Sequence, residues 1–166
     1  MSSEVVDEAT KKSGLVWISV GGAPPRVVWH LWHEGAAYVV SGGAEQPVPG
    51  LAEASTAAVT VRSKDKGGRL VTWRARVEPV EPDGERWREV APLLLAKRLN
   101  TRDGEAAPIR WAAESTIRRL VPTGELLEAP GSLPSGSLAE PPRPTPVTTA
   151  TPPPFTLDRW WRRRRR

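Results

Sequence analysis

Residues 26–40 read Arg26-Val27-Val28-Trp29-His30-Leu31-Trp32-His33-Glu34-Gly35-Ala36-Ala37-Tyr38-Val39-Val40, and their pattern decides the fold. Val27, Trp29 and Leu31 alternate with Val28, His30 and Trp32. A period of two, with β-branched and aromatic residues on both faces, predicts a strand packed on both sides. His33-Glu34-Gly35 supplies the turn, with glycine free to take positive φ, and residues 37–40 return as the partner strand. A hairpin this apolar is not stable alone in water, so other strands must cover it.

Those strands lie on either side. Residues 15–20 form a first strand, and the paired prolines Pro24 and Pro25 sit in the loop that follows. Residues 41–54 are an irregular connection, and residues 57–62 are the fourth strand. Residues 69–77 are the fifth, with Val71, Trp73, Ala75 and Val77 on its buried face. From 83 to 99 the period changes. Trp87, Val90, Ala91, Leu94 and Leu95 fall at helical spacing, Asp83 is the expected N-cap, and Pro92 predicts a kink or two short helices. Residues 109–120 read as a last long strand, with Ile109, Trp111 and Ala113 alternating, closed by Pro122. The expected fold is therefore mainly β: a six-stranded antiparallel barrel of Greek-key type with one or two helices. Repeated βαβ units are absent, as are Gly-x-Gly-x-x-Gly and Gly-x-x-x-x-Gly-Lys motifs, which argues against a doubly wound nucleotide fold.

Composition divides the 166 residues into a flexible N-terminus (1–13), a barrel domain (14–128) and a tail (129–166). The tail holds 9 of the 18 prolines and reads as disordered. Residues 1–128 carry 17 basic and 17 acidic side chains, whereas the tail carries 7 and 2, so the net +5 belongs to the tail. A neutral domain with a basic arm gives little support to nucleic-acid binding by the folded part. With no cysteine, disulfides and thiolate chemistry are excluded. The acidic start is not a secretion signal and no stretch is long and apolar enough to span a bilayer, so the expected location is cytoplasmic.

The strand order and these residues resemble the split β-barrel of the pyridoxamine phosphate oxidase-like family, whose members bind flavin mononucleotide or a deazaflavin. The likeness rests on residues 29–40, then 69–77, 87–99 and 109–120, and spans roughly residues 14–125. It implies a homodimer with the cofactor at the subunit interface, and an oxidoreductase acting by hydride transfer. It also implies that residues 41–56 hold the cofactor phosphate. Here the segment departs from the family pattern, because no Lys or Arg occurs between Arg26 and Arg62. Ser41, Gln46, Ser55 and Thr56 remain as hydrogen-bond donors, and charge would come from Arg62, Lys64, Arg74 or the other subunit. Trp32 and Trp73 are the candidate stacking residues for a planar ring. The alternative reading, motivated by the cation-free segment, is a cofactor-free dimeric barrel that binds another small ligand or a partner.

No nucleophile–base arrangement is visible, so no catalytic residue is assigned; a bound flavin would carry the chemistry. His30 and His33 stand three apart, on opposite strand faces, and metal binding by the pair is not expected. Six tryptophans fall within the domain, and core or interface packing is their ordinary role. Arg74 and Arg76 share a face, where pairing with Glu78 is the ordinary outcome. The end of the tail, residues 155–166, combines Phe155, Trp160 and Trp161 with six arginines, the make-up of a tether to anionic membrane or nucleic acid.

Overall fold

A computed structural model of the chain describes residues 2–64, 67–98 and 103–132. The readings made on residues 133–166, including the basic end, lie outside the described residues. The order of elements is α1 (Ser2–Lys12), β1 (Leu15–Ser19), β2 (Arg26–Trp29), β3 (Leu31–His33), β4 (Ala36–Ser41), β5 (Thr56–Arg62), β6 (Arg69–Val80), α2 (Glu85–Lys97), a 3-10 turn (Gly104–Ala106), α3 (Ala107–Glu114) and β7 (Thr116–Glu128). Among the described residues no helix is long and apolar enough to cross a membrane.

All seven strands join one antiparallel sheet in the order β2-β1-β5-β6-β7-β4-β3. β2 and β3 are separated only by His30, yet they stand at opposite ends of that order. The sheet therefore curls until its two edges approach through one residue, giving a half-barrel. This explains why six expected strands became seven. The stretch 26–33 reads as one strand, but its first half pairs with β1 (Trp17 opposite Val27) and its second with β4 (Leu31 opposite Tyr38).

The curl creates two apolar clusters. Inside it, Val16, Ile18, Val39, Val59, Trp73 and Leu120 pack together, and α1 contributes Val6. Outside, the other face of β4 and β7 (Tyr38, Val40 and Ile117) packs against Trp87, Val90 and Leu94 of α2 and Trp111 of α3. Each fully buried large side chain of this kind contributes about 2 kcal/mol.

Several expectations change. Residues 1–13 contain helix α1, whose Val6 is 3% exposed and Thr10 fully buried. Glu4 in its first turn and Lys11-Lys12 in its last suit the helix dipole. Residues 107–114 are helix α3, not the start of a strand. The Ile109/Trp111 alternation is coincidental, since Ile109 is 75% exposed, while Ala107 and Trp111, four apart, are buried together. Pro108 near the helix start is compatible with that reading. The last strand is shifted to 116–128, and Pro122 lies within it, beyond the end of the β4 pairing and opposite Ala75 at an irregular stretch of the β6 ladder. Finally, α2 is a single helix with Pro92 inside it, not two short ones, and Gly84 takes the N-cap instead of Asp83.

Gly43 fixes the exit from β4. Its φ is +60°, and a Cβ there would fall 2.7 Å from the Glu114 carbonyl oxygen. Ser115 Oγ donates to the neighbouring Gly42 carbonyl (3.0 Å). Gly43→Ala is expected to lower stability by about 2 kcal/mol or more, from backbone strain plus the clash, as read from a urea unfolding midpoint.

Candidate functional site

Trp32 projects from β3 beneath α1. Its indole Nε1 donates to Asp7 Oδ1 (2.6 Å), and its ring meets that of Trp73 edge-on, with centroids 6.3 Å apart at 82°. An open cleft of about 810 Å³ runs along this contact, lined by Glu4, Val5, Asp7 and Glu8 of α1, by Trp32, and by Pro122 of β7, among others. Trp73 itself is core, 1% exposed, and its Nε1 is buried with no hydrogen-bond partner among the described residues. The two tryptophans proposed as stacking residues are therefore adjacent, but only Trp32 reaches the cleft.

The other predicted residues spread over the barrel. Ser41 Oγ lies 3.4 Å from Thr116 Oγ1, and Gln46 Oε1 accepts from the Trp29 backbone N–H (3.2 Å), so both are engaged in holding the loop. Ser55 and Thr56 are exposed at the start of β5. Arg62 is at the other end of β5, six residues on, or about 20 Å at strand rise, and covers the Trp17 ring at 5.1 Å. Arg74 is bidentate to Glu125 (2.6 and 3.1 Å). Within one chain these residues do not gather around one ligand atom.

No protein-family model and no curated protein matches the sequence. Solved structures do match. HutZ, the heme storage protein from Vibrio cholerae, aligns with a TM-score of 0.52 at 15% identity, over 74% of this chain and 90% of that one. A candidate pyridoxamine 5'-phosphate oxidase from Listeria innocua aligns at 0.52 and 12% identity, over 76% and 98%. The chain has the pyridoxamine phosphate oxidase-like split-barrel fold.

Two features of this split barrel were not read from sequence. The first is Arg118 on β7. Its Nη2 donates to the Ala52 carbonyl (2.8 Å), its Nε is buried without a partner, and no carboxylate pairs with it among the described residues. The chain thus brings a guanidinium from about 65 residues away to the segment 41–56, which has no cation of its own. Sequence could not give this, because the pairing depends on the β4–β7 register.

The second is Glu45, whose side chain is 2% exposed. Its carboxylate takes Arg98 (3.0 Å), Arg110 (3.1 Å), Trp111 Nε1 (3.0 Å) and Trp29 Nε1 (3.4 Å). Arg98 also lies over the Trp29 ring at 5.0 Å, and Arg110 also binds Asp103. Burial alone would raise the carboxyl pKa. The hydrogen bonds from Trp111 and Arg110, the Arg98 charge and the Trp29 hydrogen bond outweigh it and hold Glu45 below the ordinary carboxylate value. With every oxygen occupied, this group ties the loop after β4 to α2 and α3. It is not placed to move a proton.

The histidines separate. His30 is 1% exposed, and its Nε2 meets the Thr10 carbonyl (3.0 Å), so it pins α1 to the point where the sheet splits. His33 contacts Glu89 (2.7 Å) on the surface near Glu34. These three are the one trio of ligand-type groups close enough to share an ion among the described residues. Arg86, 3.1 Å from Glu34 and 3.8 Å from Glu89, already pairs with both carboxylates of that trio.

Proposed function

We propose that this split barrel binds a flavin or deazaflavin and acts as an oxidoreductase by hydride transfer. The observation that carries the reading is Arg118. A dianionic phosphate needs a charged donor, and the segment 41–56 acquires one from β7 that no described carboxylate neutralises. The exposed side chains of Ser55 and Thr56 suit an anion at that end of the barrel. Arg118 would hold the phosphate through its guanidinium, with Ser55 and Thr56 as hydroxyl donors. When bound, the isoalloxazine or deazaflavin ring supplies the hydride chemistry, and the protein supplies position and charge.

The reading includes a homodimer. Leu15 and Val27 are exposed on the outer face of β1 and β2, beside Trp17 and Arg62, which suits contact with a second copy. Light scattering is expected to give twice the 18.1 kDa chain mass.

Titration with flavin mononucleotide and with a deazaflavin tests the proposal. Saturable uptake with quenched flavin fluorescence is expected. Arg118→Ala should weaken it about ten- to a hundredfold, the size of a lost charge-assisted hydrogen bond. A second reading, a cofactor-free small-ligand-binding barrel, is favoured by the commitment of Ser41 and Gln46 to loop structure and of Arg74 to Glu125. Absence of uptake of either cofactor would select it.

A further inference from the structure

We propose that residues 155–166 bind the surface of an anionic lipid bilayer, and that the end of the sheet where the tail begins adds a contact of its own. The inference does not depend on the flavin reading and uses none of the residues assigned to it.

Residues 155–166 read Phe155-Thr156-Leu157-Asp158-Arg159-Trp160-Trp161-Arg162-Arg163-Arg164-Arg165-Arg166. Six arginines against Asp158 leave five positive charges, whereas residues 1–128 carry equal numbers of acidic and basic side chains. Attraction to an anionic surface therefore falls on this stretch. Each arginine at an anionic bilayer strengthens binding about fivefold, so five together amount to about a thousandfold. Trp160 and Trp161 stand among the arginines, and indoles settle at the boundary between headgroups and acyl chains. Phe155 and Leu157 add apolar surface beside them.

Arginine runs also bind the phosphates of nucleic acid, and the fold separates the two partners. The last residue of β7, Glu128, accepts hydrogen bonds from Arg69 Nη1 (2.9 Å) and Thr72 Oγ1 (2.8 Å), which hold the end of β7 against β6. The Ser63 N–H donates to the Gly68 carbonyl (2.7 Å) and closes the β5–β6 turn beside it. At this end Leu70 and Leu127 are 39% and 38% exposed, and Lys64 of the turn is exposed as well. Residue 129 follows directly, so the tail starts from an end of the sheet that shows two leucines and a lysine. Uncovered leucines gain by meeting acyl chains and gain nothing from a phosphate backbone. Together with the paired indoles they favour the bilayer.

The test is flotation of the full chain with vesicles of phosphatidylcholine, with and without phosphatidylserine, beside a titration with double-stranded DNA at the same salt. Retention on the phosphatidylserine vesicles is expected to be about a hundredfold stronger than on phosphatidylcholine alone. Deleting residues 159–166 should abolish it. Trp160→Ser with Trp161→Ser keeps every arginine and should weaken vesicle binding about tenfold. Lipids brominated on their acyl chains should quench tryptophan fluorescence in the wild type and far less in that pair. Leu70→Ser with Leu127→Ser should weaken retention about fivefold. Flavin mononucleotide uptake should be the same in all of these variants. Equal retention on the two vesicles, tighter binding to DNA than to phosphatidylserine vesicles, or wild-type retention of the tryptophan pair would each overturn the assignment. Wild-type retention of the leucine pair would overturn the contact by the end of the sheet. The vesicle comparison and the DNA titration need no variant, so the inference stays testable if the leucine pair fails to fold.

Discussion

Glu45→Ala is expected to lower the unfolding free energy by about 3 kcal/mol, the cost of removing one partner from a buried ion pair. The substitution removes the counter-charge of Arg98 and leaves Arg110 with Asp103 alone among the described residues. Arg98 and Arg110 are only 27% and 20% exposed, and Arg98 Nε and Arg110 Nη1 already lack hydrogen-bond partners among the described residues. It also leaves the Trp29 and Trp111 indole N–H groups without their acceptor, each a further desolvation cost. Glu45→Gln keeps an acceptor but not the charge, and should fall between wild type and alanine. Urea unfolding followed by tryptophan fluorescence measures both. A loss under about 1 kcal/mol for the alanine variant would mean that the cage contributes little to stability.

The second large effect is a pH dependence set by His30. Burial lowers its pKa from 6.5 to about 4; the hydrogen bond to Thr10 opposes the fall and the Lys97 charge adds to it. Between those two values the unfolded chain takes up a proton that the folded chain refuses. Stability from this group is therefore complete above pH 6.5, falls as pH drops toward 4, and is constant below that. The whole fall corresponds to about 3 kcal/mol. Glu45 and Glu78 are both held below the ordinary carboxylate value, Glu78 chiefly by its hydrogen bond from Arg119, so their losses come at lower pH. The decline between pH 6.5 and about 5 belongs to His30. His30→Gln keeps a donor for the Thr10 carbonyl and should flatten it. An unchanged slope in that variant would assign the decline to another group.

The two residues behind these effects were legible to different degrees. His30 stood out as one of two histidines inside a β pattern, but its burial was not visible. Its two neighbouring half-strands pair with different partners, and α1 closes over the ring. Glu45 carried no signal, being one acid in a loop of Gly, Ala, Gln and Pro. Its four partners come from β2, from α3 and from just beyond the end of α2. The site was legible in the same uneven way. Trp32 and Trp73, each read separately as a candidate stacking residue, turn out to be in ring contact, a pairing the sequence did not indicate, and the places of Arg118 and Asp7 were not read either. Asp7 was findable, because Val5, Val6 and Ala9 at spacings of three and four, with acid first and base last, mark an amphipathic helix. The α3 error came from reading Ile109, Trp111 and Ala113 at period two where Ala107 and Trp111 carried a period of four.

Local alternation of valine and tryptophan by itself determined that this chain builds a mainly β structure, because side-chain periodicity follows from backbone geometry within a few residues. The change to spacings of three and four likewise determined the helical character of the Trp87 to Leu94 region. What only the tertiary structure decided was partnership: that residues 26–33 divide at His30 between the two edges of a curled sheet, and that Arg118 reaches the loop after β4. Ladder pairing and buried ion pairs join residues tens of positions apart, and no local pattern encodes which distant edge or charge will meet.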